Sequence, residues 1–496
     1  MAIVMPDAAT SFSFAPDAIE MPIGHHIGGA FVPARSEIPI NRPSDNVVVP
    51  GCPLANIDVV DRAVQAAKLA LRRSDWGRGQ PRARTLALQR WADLIEDDAK
   101  FLGQLESVPS TRPIAQIKNG DIAISAEQIR FFAEMADKEG SLLAPTRNDQ
   151  MGWVASEPYG VVGAITPWNF PISMAAWKLA PALAAGNAVV LKPSEMTPFS
   201  AIRLAELSVK AGIPEGLVNI VQGDGVTTGN ALTGHPEIAK LSFTGSTEAG
   251  QAIMGNIART GIKPMTLELG GKSPQIVFAD ADLEKTAQAI ATSILANSGQ
   301  ACVAGSRVVV AAELAESLVS KVQTLLMKIK PGPTWDGETT YGPIISEKQL
   351  TRVDDLVQAS IVAGATVLCG GGRLDRPGCF YKPTILTDVS DQSPAVVQEV
   401  FGPVLTVQTF LDEEEALQLA AHPTYGLAAG VFTRDLSRAM RVIKALEAGT
   451  VWVNRYGRSR DHILPTGGYK SSGIGKDLGR EAYHANRRLK SVLIDL

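Results

Sequence analysis

Val161-Val162-Gly163-Ala164-Ile165 opens the series that decides the fold. The run is continuously apolar and short, and a helical pattern over about 174–183 follows it. The arrangement then recurs. Residues 187–191 precede a helix over about 198–211, 217–221 a short helix near 226–232, and 238–243 a helix over about 247–259, with 265–269 closing the set. Apolar strands alternating with helices predict right-handed βαβ crossovers and a parallel sheet covered on both faces. A second α/β series follows, with a helix over 283–296, a strand over 306–312, helices near 314–329 and 347–363, and strands near 404–409, 429–432 and 451–454. The fold class is therefore α/β, with two parallel-sheet domains meeting near Gly270-Gly271.

Two stretches fit neither series. Residues 141–159 read as an extended hairpin and the C-terminus, 484–496, ends in an apolar strand. Together they predict an arm with a free edge, which a second subunit or the chain itself must cover. The expected organisation is a loose extension over 1–20, a first domain over 21–140 and 160–269, the arm over 141–159 and 484–496, and a second domain over 270–483.

Composition excludes several function classes. Among 496 residues, 47 basic side chains face 51 acidic ones for a net charge of −4, with no Lys/Arg cluster to suggest a nucleic-acid or membrane face. The Arg487-Arg488-Leu489-Lys490 run reads as a solvated edge. Four cysteines (Cys52, Cys302, Cys369, Cys379) lack C-x-x-C spacing and make neither a disulfide framework nor a zinc site, so no metal is expected. The His25-His26 pair reads as a loop. No uncharged apolar run reaches membrane-spanning length, and the start of the chain lacks a secretory pattern. A free thiol suits a reducing cytoplasm.

Cys302 lies among small residues in Ser298-Gly299-Gln300-Ala301-Cys302-Val303-Ala304-Gly305, thirty-four positions after Glu268 in Leu267-Glu268-Leu269-Gly270-Gly271. A sterically open thiol and a carboxylate at a strand end are a nucleophile and a base for chemistry at a carbonyl. A lone cysteine is, equally, an ordinary small core residue. Asn169, between two prolines in Pro167-Trp168-Asn169-Phe170-Pro171, is either a rigid donor for an oxyanion or part of a structural turn. Lys192-Pro193-Ser194-Glu195 follows a strand and offers groups for ribose hydroxyls, or a loop ion pair. A carboxylate there disfavours a 2′-phosphate. Phe243-Thr244-Gly245-Ser246-Thr247 joins a strand to a helix start, where free N–H groups suit a diphosphate. Gly223-Asp224-Gly225 and Gly473-Ile474-Gly475 resemble a dinucleotide fingerprint but lack its context and read as turns. Glu399 and Phe401, two apart, share a side if that segment is extended.

In this order the segments resemble the aldehyde dehydrogenase superfamily, in its hydrolytic, non-CoA-acylating branch, from about residue 30 to the C-terminus. Gly467-Gly468-Tyr469-Lys470-Ser471-Ser472-Gly473 and Gly479-Arg480-Glu481 extend the likeness. The resemblance implies an aldehyde dehydrogenase-like fold with a Rossmann-type cofactor domain, a catalytic domain and a small β oligomerisation arm. It implies Cys302 as nucleophile, Glu268 as general base, Asn169 as oxyanion donor beside the Cys302 N–H, and Lys178 in proton relay. The cofactor is NAD, with NADP as the alternative. Lys192 and Glu195 would hold its adenosine ribose, Gly245 and Ser246 the diphosphate, and Glu399 and Phe401 the nicotinamide half. Ile165, Thr166, Pro167, Trp168, Ser194, Gly225, Phe243 and Leu269 would complete the cofactor site.

The same resemblance lines a substrate tunnel with Ile124, Phe170, Met174, Trp177, Ala301, Val303 and Ser459, beside the loop 456–465. Mostly apolar walls imply a hydrophobic small-molecule aldehyde, aromatic, terpenoid or medium-chain. As the alternative, Phe170 and Trp177 could cage an ammonium group with Asp121 nearby, as in amino-aldehyde or betaine-aldehyde enzymes. Thr466 stands where the family commonly has an aromatic residue, which suggests a wider tunnel. Gly457, Arg458, Asp461 and His462 make the entrance polar. A homo-oligomer, dimer or tetramer, is implied. Retention of Glu268 opposes a CoA-acylating enzyme, the lack of a histidine motif opposes a cysteine hydrolase, and the complete set Cys302, Glu268, Asn169 and Lys178 opposes a non-catalytic member of the fold.

Overall fold

The computed structural model describes residues 12–458 and 462–496. Its larger sheet has five parallel strands in the spatial order Val218–Ile220, Ala188–Lys192, Val161–Ile165, Lys240–Thr244, Met265–Glu268. Numbered along the chain this is 3-2-1-4-5. The order reverses between Val161–Ile165 and Lys240–Thr244, and ligands of such sheets bind outside the carboxyl ends at that point. The first four of these along the chain are buried at every residue, and the fifth at all but Met265, as expected of a parallel sheet covered on both faces. The helix Pro171–Ala184 is buried along its whole length, between this sheet and the helix Ile122–Met135.

Both ends of this sheet depart from the sequence expectations. On one side the strands Gly24–Ile27 and Ala30–Pro33 add antiparallel pairs. His25 and His26 are thus buried strand residues rather than a loop. Burial, then the Arg62 charge, pulls the His25 ring down to about 4, and its Nδ1 accepts from the Gln222 N–H at 3.1 Å. On the other side Gly473–Ile474, expected as a turn, is a short strand antiparallel to Leu267-Glu268. The tail around it also departs from its expected domain. Leu478, Ala482 and Tyr483 pack into the core of the first sheet. Gly223-Asp224-Gly225 is likewise more than a turn, because the Asp224 carboxylate caps the helical turn Gly225–Gly229.

A second sheet has the order Thr366–Cys369, Thr384–Thr387, Val404–Phe410, Arg307–Ala311, Pro274–Val277, Ala428–Phe432, Thr450–Val453, parallel except at its first pair. Three of these strands, Pro274–Val277, Thr366–Cys369 and Thr384–Thr387, are absent from the sequence reading, since four-residue runs between glycines and prolines carry little periodicity. The hairpin Leu142–Ala144 and Gln150–Pro158 pairs with the C-terminal strand Arg487–Asp495. Arg487 is no solvated edge. Its guanidinium bonds the Ser156 hydroxyl and the Ser156 and Ala185 carbonyls, tying the arm to the main body. Residues 1–11 of the expected loose extension lie outside the described residues. Residues 12–20 are tied down, with Phe14 N–H to the Trp335 carbonyl (3.2 Å) and Asp17 to Arg42 (2.7 Å).

Candidate active site

Several sequence-predicted groups of the first domain sit at carboxyl strand ends. Glu268 ends Met265–Glu268, Ile165 ends Val161–Ile165, and Lys192 ends Ala188–Lys192. Met174, Trp177 and Lys178 stand at i, i+3 and i+4 on the helix Pro171–Ala184 and so share one face. Asn169 lies in the link between that strand and that helix.

Cys302 arrives from the second domain on a clamped loop. Asn297, Ser298 and Gly299 before it have φ of 50°, 54° and 74°, a left-handed run that costs free energy at the two non-glycine positions. Side-chain bonds hold it there. Asn297 Nδ2 donates to the Asn169 carbonyl (2.8 Å), Thr111 Oγ1 to Asn297 Oδ1 (2.6 Å), and Ser298 Oγ to the Gly342 carbonyl (2.6 Å). Asn169 Nδ2 donates to the Gln300 carbonyl at 3.0 Å, so Asn169 is anchored two residues before the thiol. The Cys302 N–H has no acceptor among the described residues. Gly270 and Gly271 permit the approach of the two domains. A Cβ on Gly271 would stand 2.7 Å from the Cys302 carbonyl oxygen, and one on Gly270 would strike the Glu399 carboxylate.

The thiol is partly exposed and protonated at neutral pH. Desolvation pushes it up to about 11, with Arg458 opposing and Glu268 and Glu399 adding to the rise. Glu268 is buried, and its Oε1 has no hydrogen-bond partner among the described residues. Desolvation and then the Asp477 charge push its carboxyl up to about 8, against Lys178, Arg458 and Lys476. Lys178 and Asp477 form a wholly buried ion pair beside it. Sequence reasoning missed Asp477 and Asn297. The Asn-Ser-Gly run at 297–299, made of residue types that tolerate positive φ, carried the second signal.

The cofactor candidates fall into three groups. Ser246 caps the helix Thr247–Thr260 by accepting from the Ala249 N–H at 3.1 Å, while the Gly245 N–H is taken by the Glu268 carbonyl at 3.0 Å. At that helix start the N–H groups of Ser246, Thr247 and Glu248 have no acceptor among the described residues, while that of Gly245 is taken. Phe243 lies under Gly245, and Leu269 against Gly250. Lys192 Nζ donates to the Gly223 (2.6 Å) and Pro193 (2.9 Å) carbonyls, 3.5 Å from Glu195 Oε2, and Gly225 faces open space. Ser194 Oγ accepts from the Met196 N–H and keeps its own O–H to donate, whereas the Thr166 N–H is taken by the Lys192 carbonyl. Across the cleft, Glu399 Oε1 accepts from the Gly271 N–H (3.1 Å), and the Phe401 ring meets Trp168, next to Pro167, edge to face at 5.3 Å. Phe401 has φ 55°, so this segment is not extended and the alternation argument fails there. Free N–H groups at a helix start and carboxylates at two strand edges fit a dinucleotide.

The tunnel candidates correct one expectation. Phe170 carries the Arg112 guanidinium 4.7 Å above its ring, and Trp177 carries Arg458 at 4.8 Å. Asp121 is bound to Arg112 through two 2.8 Å hydrogen bonds. The proposed ammonium cage is thus filled by the chain's own cations. Thr466 does not simply widen the tunnel either. It is buried and accepts from Arg458 Nη2 at 2.6 Å. Ile124, Ala301 and Val303 are partly exposed, Met174 is buried, and Ser459 lies outside the described residues.

Compared with known proteins, the chain matches the Aldehyde dehydrogenase family over residues 31–492. The chain belongs to the aldehyde dehydrogenase family. Members of that family are oxidoreductases acting on aldehydes with NAD(P). The cytosolic 10-formyltetrahydrofolate dehydrogenase of Mus musculus is 40% identical over 486 residues, 96% of this chain but 54% of that protein. A mitochondrial form from the same organism is 39% identical. The chain spans about half the length of these curated relatives. Among solved structures, the P. syringae indole-3-acetaldehyde dehydrogenase in complex with NAD+ and IAA has a TM-score of 0.94 at 38% identity, covering 97% of this chain and 98% of that one. The betaine aldehyde dehydrogenase of Staphylococcus aureus, with NAD+, gives 0.91 at 35% identity, covering 96% and 98%. This member of the family has no helix among the described residues long and apolar enough to cross a membrane.

Proposed function

We propose that the protein oxidises an aldehyde with an apolar segment next to its carbonyl to the carboxylic acid, through a covalent Cys302 thioester, with NAD preferred to NADP. One observation carries the reading. The thiol, the high-lying carboxyl of Glu268 and the Asn169 amide are held from three separate elements around one place. Cys302 gives its proton to solvent water as its sulfur adds to the carbonyl carbon, opening the C=O double bond to an oxyanion. Asn169 Nδ2 and the Cys302 N–H are the donors for the resulting oxyanion. Bound NAD supplies a hydride acceptor. Glu268, once deprotonated, takes a proton from the water that attacks the thioester, and its raised pKa makes it a stronger base than an ordinary carboxylate. Lys178, paired with Asp477, positions that carboxylate.

Glu195 supports NAD over NADP, because its partly exposed carboxylate would face a 2′-phosphate, while the nearby Lys192 is shared between that carboxylate at 3.5 Å and two carbonyls. The arm exposes Leu142, Leu143, Leu489 and Leu493, which supports assembly with a second copy into a homo-oligomer. Four free cysteines support a cytoplasmic location.

The test is NADH formation with a panel of aldehydes, with acid identified as product in the presence and absence of CoA. Product acid without CoA is expected. An obligatory acyl-CoA product, or no NADH with any aldehyde, removes the reading.

A further inference from the structure

Arg458 places a cation in the site that has no ion-pair partner among the described residues. No carboxylate lies within ion-pair distance of it among the described residues, and its single hydrogen bond goes to the neutral Thr466 hydroxyl. Among the described residues its buried Nε has no partner and its Nη1 makes no hydrogen bond. Trp177, whose ring lies under the guanidinium, also has a buried Nε1 with no acceptor. Two adjacent unsatisfied donors are costly unless a ligand supplies acceptors. The surrounding charge has the same sign. Asp477 is matched by Lys178, Glu268 is held largely protonated at neutral pH, and Lys476 donates only to the Gly467 carbonyl. The reaction does not need so much positive charge, since the oxyanion already has two donors elsewhere.

We infer that Arg458, stacked on Trp177 and held by Thr466, anchors a carboxylate at the far end of the substrate, so that the preferred aldehydes are those carrying a carboxylate beyond an apolar spacer. A guanidinium presents parallel N–H groups that match a carboxylate, and stacking on the indole fixes its plane. The apolar residues Met174, Val303 and Ile124 accommodate the spacer. Charge-assisted hydrogen bonds of this kind are worth about 10- to 100-fold in binding. This inference rests on the aldehyde-oxidising reading of Cys302 and Glu268.

The test compares matched probes, 4-carboxybenzaldehyde against 4-methylbenzaldehyde and succinic semialdehyde against butanal, by kcat/KM with NAD. Wild-type enzyme is expected to favour the carboxylated member of at least one pair by about tenfold or more, mainly through KM. Arg458→Met is expected to collapse that ratio, and Arg458→Lys to restore part of it. Thr466→Val, which removes the hydroxyl that holds the guanidinium, is expected to weaken it and serves if Arg458→Met fails to fold. Equal loss on both members of a pair would assign Arg458 to the field at Cys302 and overturn the anchor. A wild-type ratio near one in both pairs, with NADH still formed, overturns the anchor and leaves aldehyde oxidation standing. No NADH from any probe overturns both.

Discussion

Replacing Asn169 by alanine separates chemistry from scaffolding at this site. The side chain makes one protein hydrogen bond, from Nδ2 to the Gln300 carbonyl at 3.0 Å, while its backbone carbonyl independently holds Asn297 Nδ2 at 2.8 Å. Truncation removes the first bond and keeps the second, so the left-handed turn at 297–299 retains its tether. The expected stability loss is about 1 kcal/mol. The expected kinetic loss is much larger, because the Cys302 N–H remains as the only oxyanion donor. Removing one such donor typically costs about 10²–10³ in rate, or ~2.7–4 kcal/mol. The oxyanion exists only after sulfur has added, so kcat and kcat/KM should fall together while NAD affinity holds. Steady-state NADH production, a cofactor-binding titration and the rate of Cys302 alkylation by iodoacetamide make the assay. Alkylation matters because it reports whether the thiol is still presented. Unchanged turnover would refute the oxyanion role, and slowed alkylation would relocate the defect to the loop.

Four further outcomes follow from the charges. Glu268→Gln should accumulate thioester, seen as an NADH burst in place of sustained turnover. In the wild type the hydrolytic step should rise tenfold per pH unit up to about 8, since the deprotonated carboxyl is the active form, and then level off. A flat profile from pH 6 to 9 would remove Glu268 from that step. Asp477→Asn deletes the charge that, after desolvation, most raises Glu268. The midpoint of that limb should therefore move to lower pH, and the stranded Lys178 ammonium should cost about 3–5 kcal/mol in stability, read as a drop in the thermal midpoint. Glu195→Ser should improve kcat/KM with NADP relative to NAD, and an unchanged ratio would show that another group discriminates.

Much of the scaffold was legible because buried parallel strands leave an unmistakable pattern. Runs such as 161–165 and 187–191 cannot be anything that faces water, and the helices between them carry their own period. Short elements escaped notice. Gly473–Ile474 contains too few residues for any alternation, and His25-His26 looks like a polar loop until a sheet closes over it. Arg458 was visible only as one polar residue in a polar loop, because its meaning depends on Trp177 lying 4.8 Å beneath it.

By itself the chain determined which residues could do chemistry: a thiol among small neighbours, a carboxyl at a strand end and an amide between prolines, together with the alternating pattern that builds the two sheets. Those are properties of residue type and local spacing, and they survive without coordinates. Tertiary structure alone decided the charge of the site. Whether Glu268 is a carboxylate or an acid, whether the aromatic rings are free or already capped by Arg112 and Arg458, and whether Asp477 has a partner all depend on distances between segments far apart in the sequence. Electrostatic energies in a buried site are set by those distances and by exclusion of water, and neither is written in linear order.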